Sequence, residues 1–302
     1  MLKGVSRSFY LSLRLLPGPM RRTASLAYLL ARTSDTLADG AGVPIGTRLA
    51  CLDAFRQSLF GNGASPHWPE SMLAALTDPR ERRLLIATDE LLASFRALPG
   101  EEAGLVREVL ETIVSGQKLD LERFSGADRE RPVVLADADA LADYAWRVAG
   151  CVGGFWTKLG FLTMGASFSS ADEAVLMERG IAYGKGLQLV NILRDLPADL
   201  AQGRCYLPVA DPSDKAGLIA EHARWLETAD SWVRSGFAYA EALVSRRLKT
   251  ATVLPAMIAL ETLDRMRGAD WEFLSHRVKV PRSRVYLALA KAAITPVRLP
   301  GA

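Results

Sequence analysis

The fold of this chain is decided by the segment Ala24-Ser-Leu-Ala-Tyr-Leu-Leu-Ala-Arg-Thr-Ser-Asp35-Thr-Leu-Ala-Asp39. Its first half carries no charge, and its second half contains two aspartates four residues apart. A helix that lacks a polar face belongs in the interior of a large helical protein. A buried helix that ends in acidic side chains therefore indicates an internal site with an acidic rim.

Helical periodicity extends outward from this segment over most of the chain. Glycine- and proline-rich loops separate the helices, and no alternating strand pattern bounded by turn signals occurs. The predicted helices are Met20–Asp39, Thr47–Leu59, Pro79–Leu98, Gly104–Phe124, Asp139–Met164, Ala171–Asp195, Lys215–Ser245, Thr250–Met266 and Arg282–Ala293. No linker or internal repeat divides the 302 residues. The sequence therefore predicts one all-α domain over residues 1–302, built as a helical bundle.

The composition limits the classes of function. The chain has 37 Lys and Arg residues against 34 Asp and Glu, an excess too small to indicate nucleic-acid binding. Its cysteines and histidines do not form the spaced set of ligands that a structural zinc site needs. The longest apolar runs fall short of the roughly 18 residues of a membrane span, and no secretory signal is recognised. We expect a cytoplasmic protein with no nucleic-acid partner, and peripheral contact with a membrane stays open.

A second acidic segment reads Gln188-Leu-Val-Asn191-Ile-Leu-Arg-Asp195-Leu-Pro-Ala-Asp199. Its four numbered polar residues fall on one stripe of a helix, and the two aspartates are again four residues apart. Mg²⁺ prefers oxygen ligands and commonly bridges one or two carboxylates to the phosphates of a substrate. Two such segments on facing helices would hold Mg²⁺ around a diphosphate and help it to leave.

Pairs of aspartates at this spacing also arise by chance on solvated helix faces. Asp139 and Asp143 form a third pair, which we interpret as the polar start of a helix. The second segment differs because Gln188 and Asn191 are embedded in an otherwise apolar stretch. A buried amide needs hydrogen-bond partners. These side chains either line a polar cavity or belong to a structural network, and the spacing leaves both interpretations open.

Five segments, in this order, resemble motifs of the squalene/phytoene synthase family. They are Ser6-Arg7-Ser8-Phe9, Tyr28–Asp39, Tyr144–Gly153, Gln188–Asp199 and Gly203–Pro208. The third is similar to the family pattern Tyr-Cys-x-x-Val-Ala-Gly-x-Val-Gly, with Ala145 in place of the cysteine. The fourth matches Gln-x-x-Asn-Ile-x-Arg-Asp-x-x-x-Asp, and the fifth matches Gly-Arg-x-Tyr-Leu-Pro. Five ordered motifs are far more specific than any one of them.

The resemblance implies an isoprenoid synthase fold, a single bundle around a central apolar cavity, and a role for each matching residue. Mg²⁺ would be bound by Asp35, Asp39, Asp195 and Asp199. Contacts with the substrate diphosphate are implied for Ser6, Arg7, Arg32, Gln188, Asn191, Arg194 and Arg204. Catalytic roles near the carbocation are implied for Tyr28, Tyr144 and Tyr206. Arginine matches phosphate oxygens in pairs, and an aromatic ring attracts a cation. The alternative for each tyrosine is core packing with a satisfied hydroxyl.

The chain departs from the family pattern at two positions. Pro197 lies between the two aspartates of the second acidic segment, and proline tends to kink or end a helix. We therefore expect Asp199 on a distorted turn, which weakens its assignment as a metal ligand. Ala38 stands where squalene synthases often carry an acid, so the first acidic segment has one acidic side chain fewer.

The implied reaction is the Mg²⁺-dependent, head-to-head condensation of two farnesyl diphosphates through a cyclopropyl diphosphate. The Asp35-Thr36 pair favours squalene as the product, with NADPH as the hydride donor bound outside a Rossmann fold. Gly203–Pro208 is equally typical of bacterial phytoene and hopanoid-pathway enzymes, so phytoene, dehydrosqualene and hydroxysqualene remain alternatives. Two other classes stay open, a class I terpene cyclase and a non-catalytic helical assembly factor. The Ser6–Phe9 motif argues against the first, and the preserved acid pairs argue against the second.

Overall fold

The computed structural model describes residues 9–40, 42–61, 65–276 and 278–294, and its regular structure is almost entirely helical. Its α-helices are α1 (Phe9–Leu15), α2 (Gly18–Ala38), α3 (Ile45–Phe60), α4 (Glu70–Ala75), α5 (Pro79–Ile86), α6 (Thr88–Arg96), α7 (Gly100–Arg123), α8 (Ala138–Ala145), α9 (Cys151–Met164), α10 (Glu173–Leu200), α11 (Lys215–Ala242), α12 (Arg246–Met266), α13 (Trp271–Ser275) and α14 (Arg282–Ile294). A 3₁₀ turn over Gly165–Ser167 follows α9. The predicted all-α fold class is confirmed.

Two short features interrupt the helices. A π-helical turn over Trp146–Gly150 joins α8 to α9. The strands β1 (Val133–Val134) and β2 (Arg204–Cys205) pair in parallel. This pairing was not predicted, because two residues are too few to show an alternating pattern. The β1–β2 pairing holds the segment after α10 next to the segment before α8.

Two predicted helices are divided. The helix predicted over Pro79–Leu98 breaks at Ala87, where the Thr88 hydroxyl donates to the Leu85 carbonyl oxygen at 2.7 Å. Such a bond competes with the helical ladder of backbone bonds. The helix predicted over Asp139–Met164 contains the π-helical turn. The short helices α1, α4 and α13 were not predicted, because they are too short to establish a periodic pattern.

The expectation for Pro197 is wrong, because α10 continues through it to Leu200. The amide of Ala201 donates to the Pro197 carbonyl oxygen at 3.1 Å, so the last turn is closed. Proline has no N–H to donate to the carbonyl four residues earlier, that of Leu193. Burial lowers the pKa of His222 on α11, and the neighbouring Leu193 backbone opposes this shift. Asp199 therefore lies on a regular final turn of α10.

Helix α10 is the central helix, and it packs against α9, α11, α12 and the π-helical turn. Its contact with α9 and with the π-helical turn is a direct contact of backbones at glycines. A Cβ atom on Gly153 would lie 1.9 Å from the Gly180 carbonyl oxygen, and one on Gly184 would lie 2.4 Å from the Ala149 carbonyl oxygen. Any side chain there would force the two helices apart. These glycines therefore fix one side of the space between α2, α7, α9 and α10.

That space is a cavity of about 390 Å³, here called the central cavity. Helices α2, α7, α9, α10 and α12 supply most of its wall. In the part of the chain that the structure describes, no helix combines the length and the apolar character needed to cross a bilayer.

Candidate active site

The central cavity is apolar over most of its surface and has polar groups at one end. Its apolar wall includes Leu13, Ala27, Val109, Ile113, Val148, Val152, Phe155, Trp156 and Leu187. Asp35 and Asn191 line the same cavity, and both belong to the acidic segments. Asn191 is exposed to this space rather than buried in a structural network. The uncharged helix face predicted to be interior thus forms the wall of a cavity with an acidic end.

The first acidic segment places Asp35 on the last turn of α2. Gln117 on α7 donates to its carboxylate at 2.6 Å. Burial and the nearby charge of Asp39 raise the pKa of Asp35 to about 6, against the opposing effect of Arg32. The side chain still exposes 44% of its surface, and this exposed part faces the cavity. Crowded carboxylates of this kind favour a positive charge between them.

Asp39 caps the end of α2 and lies among basic side chains. Burial raises its pKa, while the charges of Arg32 and Arg204 oppose that rise. Arg32 is itself paired with Glu81 on α5 at 2.5 Å, and it lies 3.7 Å from Asp35. The Arg32 side chain therefore connects the first acidic segment to α5.

The second acidic segment lies at the end of α10 and is covered by its own arginines. Arg194 pairs with Asp195 at 2.5 Å. Arg204, on β2, pairs with Asp199 at 3.0 Å. Burial is the main cause that raises the pKa of Asp199 to about 6, and Arg204 opposes it. Gln188 is half-buried on the same helix.

Asp120 on α7 is a site residue that the sequence reasoning missed. Burial raises its pKa to about 6, and the charges of Asp199 and Asp39 act in the same direction. It thus lies within electrostatic range of both acidic segments and connects them. The sequence hardly indicates a role for Asp120, because Gln117 and Asp120 span only one helical turn and the residues around them are of mixed polarity.

Two of the three predicted tyrosines form a chain with Asp120. The rings of Tyr144 and Tyr206 stack with centroids 5.0 Å apart, and the Tyr206 hydroxyl donates to Asp120 at 3.0 Å. Burial raises the pKa of both phenols, so both stay protonated at neutral pH. Tyr28, on α2, lines the central cavity.

The two acidic segments therefore lie near each other and near Asp120, and Asp35 and Asn191 line the central cavity. Ser6 and Arg7 lie outside the described residues. The third aspartate pair takes no part, since Asp143 pairs with Arg147 at 2.8 Å and Asp139 is exposed. Arg48 on α3 was not predicted, and its guanidinium donates to the Ala38 carbonyl oxygen at 2.9 Å near Asp39.

Several buried polar atoms at this end have no hydrogen-bond partner among the described residues. Three are guanidinium nitrogens and two are acceptor oxygens: Arg32 Nε, Arg48 Nε, Arg204 Nε, Gln117 Oε1 and Asp120 Oδ1. Buried polar groups are normally satisfied, and orphans concentrated in one place suit a ligand that supplies the missing partners. Phosphate oxygens accept from guanidinium groups, and hydrated cations satisfy oxygen acceptors.

The donor set fits Mg²⁺ on a diphosphate better than a metal held by protein alone. No three Cys, His, Asp or Glu side chains converge into a ready metal site within the described ranges. The oxygen donors come instead in pairs on facing helices. Mg²⁺ is usually held by one or two carboxylates together with substrate phosphates and water.

Comparison of sequences gives a consistent result. The sequence model of the family described as squalene/phytoene synthase matches residues 2–284. Presqualene diphosphate synthase of Zymomonas mobilis is 26% identical over 304 residues, covering 96% of this chain and 90% of the relative. A second presqualene diphosphate synthase, from Rhodopseudomonas palustris, is 32% identical over 74% of this chain and 65% of its own. A bifunctional lycopene cyclase/phytoene synthase of Phaeosphaeria nodorum is 28% identical, and this chain spans only 40% of its length.

Solved structures share the fold at low identity. A complex of TcSQS with the ligand BPH1237 has a TM-score of 0.76 at 20% identity, covering 97% of this chain and 84% of that one. A dehydrosqualene synthase in complex with a ligand has a TM-score of 0.65 at 21% identity, covering 96% and 92%. Squalene synthase HpnC of Alicyclobacillus acidocaldarius has a TM-score of 0.59 at 20% identity, covering 87% and 89%.

Proposed function

Because this chain belongs to the squalene/phytoene synthase family, whose members are prenyltransferase-type enzymes, we propose that it joins two farnesyl diphosphates head to head. The main support for this proposal is that the two acidic segments lie close together at one end of an apolar cavity. An allylic diphosphate has the same two parts, a charged head and an apolar chain. The acidic end of the proposed site would therefore bind the diphosphate with its metal ions, and the apolar cavity would bind the isoprenoid chain.

The acidic end would activate the diphosphate leaving group. Asp35, Asp39, Asp195 and Asp199 would hold Mg²⁺, which supplies Lewis-acid stabilisation of the departing diphosphate. Arg32, Arg194 and Arg204 would donate to its oxygens, together with Ser6 and Arg7 from the N-terminal motif. Gln188 and Asn191 would orient the diphosphate from α10.

The apolar wall would protect the cations from water. After the carbon–oxygen bond of one substrate breaks, the double bond of the second attacks the allylic cation, and loss of a proton closes a cyclopropyl ring. Phenol rings such as Tyr28 and Tyr144 stabilise a nearby cation through their faces. The proton can leave with the diphosphate or pass by way of the stacked Tyr144 and Tyr206 to Asp120, which accepts a hydrogen bond from Tyr206. A dry cavity prevents premature capture by water.

The product is the finer part of the proposal. The cyclopropyl product, presqualene diphosphate, is supported by the names of two relatives. We propose that the chain reaches this intermediate and reduces it to squalene when NADPH is present. Phytoene, dehydrosqualene or hydroxysqualene would result from a different substrate length or a different final step. Peripheral contact with a membrane fits such insoluble products and stays a prediction, as does a cytoplasmic location.

Product analysis tests this function directly. Purified protein is incubated with Mg²⁺ and farnesyl or geranylgeranyl diphosphate, with and without NADPH, and the products are identified by mass spectrometry. We expect a coupled product that falls at least ~100-fold in Asp35→Asn and Asp195→Asn, because each variant loses a charge that acts on the leaving group. Asp139→Asn is the matched control, since Asp139 is an exposed acid of the uninvolved pair, and it should keep full activity.

Each alternative has its own outcome in this assay. A product that does not respond to NADPH would contradict squalene and name its alternative. A cyclic product from a single diphosphate would indicate a terpene cyclase. A folded protein without turnover of either substrate would support the non-catalytic assembly factor.

A further inference from the structure

We propose that Phe155 and Val109 form a wall that sets the length of the isoprenoid chain accepted by the central cavity. Both residues line the central cavity and also a second space of about 110 Å³, here called the side pocket. Both are buried, with 7% and 5% of their surface exposed. A buried side chain that borders two spaces separates them. This inference rests on the proposed function and concerns the substrate length at the same site.

On α7 and α10, the residues that line the side pocket lie toward the helix ends that are farther from the acidic segments. Ile181 on α10 lines the side pocket, and at 1.5 Å per residue that position is about 21 Å along the helix from Asp195. Asn191, which lines the central cavity, lies between these two positions. A substrate whose diphosphate is held at the acidic end would therefore point the end of its chain toward the wall.

The side pocket has room and a mostly apolar lining. Its walls include Leu105, Trp146, Cys151, Gly154, Met177 and Ile181. Its charged residues, Glu108 and Lys158, neutralise each other in an ion pair of 2.6 Å. Met177 and Ile181 also line a groove on the surface beyond, so the side pocket continues outward from the wall. An additional isoprene unit would find apolar surface there once the wall is removed.

The backbone around the wall cannot easily move to admit a longer chain. Gly153, two residues before Phe155, lies against Gly180 so closely that a Cβ atom would overlap its carbonyl oxygen. This contact fixes the position of α9 on α10. In the proposed arrangement, the phenyl ring of Phe155 limits how far the cavity extends. With the ring in place we expect farnesyl chains to end at the wall and geranylgeranyl chains to collide with it.

Phe155→Ala tests the wall. We expect it to raise the ratio of kcat/KM for geranylgeranyl over farnesyl diphosphate by ~10-fold or more, since one methylene in an apolar pocket already changes selectivity by about that factor. Binding of each diphosphate with Mg²⁺ is measured by calorimetry in parallel, and the ratio of Kd values should shift in the same direction. Phe155→Leu should give a smaller shift and serves if the alanine variant does not fold.

Two further variants distinguish an effect of the wall on chain-length selectivity from a general loss of stability. Phe95→Ala removes the same side chain from a core position that borders neither space, so it should lower stability without changing either ratio. Gly154→Ala adds a methyl group to the side pocket, where its Cβ would lie 3.2 Å from the sulfur of Met177. In the Phe155→Ala background it should reverse part of the gain.

The outcomes distinguish this inference from the proposed function. If folded Phe155→Ala and Phe155→Leu leave both ratios unchanged, the wall does not select chain length. If the wild-type protein binds both diphosphates but couples neither, the proposed function fails, and the ratio of Kd values still decides whether Phe155 limits the chain.

Discussion

His222 on α11 lies beside the turn of α10 that contains Pro197. Pro197 leaves the Leu193 carbonyl without its usual helical donor, and the buried His222 lies next to the Leu193 backbone. Burial lowers the pKa of His222, although the Leu193 backbone acts in the opposite direction. Its Nε2 atom has no partner among the described residues. The neutral imidazole is therefore the form that suits the folded protein.

This arrangement predicts a pH dependence of stability. An unfolded histidine titrates near pH 6.5, and a lowered pKa in the folded state means that the unfolded chain binds the proton first. The contribution of His222 is thus complete above about pH 6.5 and is lost as the pH falls toward the lower folded pKa. We expect the melting temperature of the wild-type protein to fall more steeply between about pH 7.5 and pH 5.5 than that of His222→Gln.

Comparing the wild-type protein with His222→Gln separates the titration of His222 from that of the other groups that titrate in the same pH range. Differential scanning calorimetry at about pH 7.5 and about pH 5.5 gives the change in melting temperature of each protein. Equal changes in melting temperature for the two proteins would show that the protonation of His222 does not contribute to the pH dependence of stability.

At the scale of elements, the glycines of α9 and α10 set how closely two helices approach. Gly153→Ala should cost roughly 1–3 kcal/mol, because its Cβ would lie 1.9 Å from the Gly180 carbonyl oxygen and the helices would have to separate. The control is Gly104→Ala on α7, where an added Cβ meets nothing within 4 Å. That exposed helical position should gain about 0.5–1 kcal/mol from the loss of glycine's backbone freedom.

Urea unfolding followed by circular dichroism measures both changes. Equal and small effects at the two positions would mean that α9 can shift on α10 without cost. In that case the helix contact would not fix the cavity wall, and the rigidity argued for the region of Phe155 would lose its support.

The same elements show which parts of the structure could be predicted from the sequence. The uncharged run of α2 and the acidic ends of α2 and α10 carry patterns that span whole turns, so their placement around one cavity was predictable. Asp120 was not, because α7 is mixed in polarity and only its packing turns Asp120 toward both acidic segments. The π-helical turn depends on one additional residue in a helical turn, which leaves no periodic signal. The wall at Phe155 requires the three-dimensional contact of α7 and α9.

At the scale of the whole molecule, the aspartates of the second acidic segment are held in ion pairs that a bound metal and diphosphate would have to replace. Arg194 covers Asp195, and Arg204 covers Asp199. A cation alone would draw the aspartates away and leave arginines unpaired, and a diphosphate alone would draw the arginines away and leave aspartates unpaired. An unpaired, partly buried charge is costly. Metal and diphosphate should therefore bind together.

Thermal unfolding tests this coupling with inorganic diphosphate as the probe. We expect Mg²⁺ alone and diphosphate alone each to change the melting temperature slightly, and the two together to raise it by more than the sum of both. A ligand present at about 100 times its Kd contributes about 2.7 kcal/mol to stability, enough for a shift of several degrees. Asp195→Asn should remove this additional stabilisation, because Arg194 then lacks a full negative charge as its partner and the proposed Mg²⁺ site loses one carboxylate. Asp139→Asn should keep it. If Mg²⁺ alone stabilised the protein as much as the mixture does, the metal site would be complete within the protein, and the paired aspartates and arginines would not exchange partners on binding.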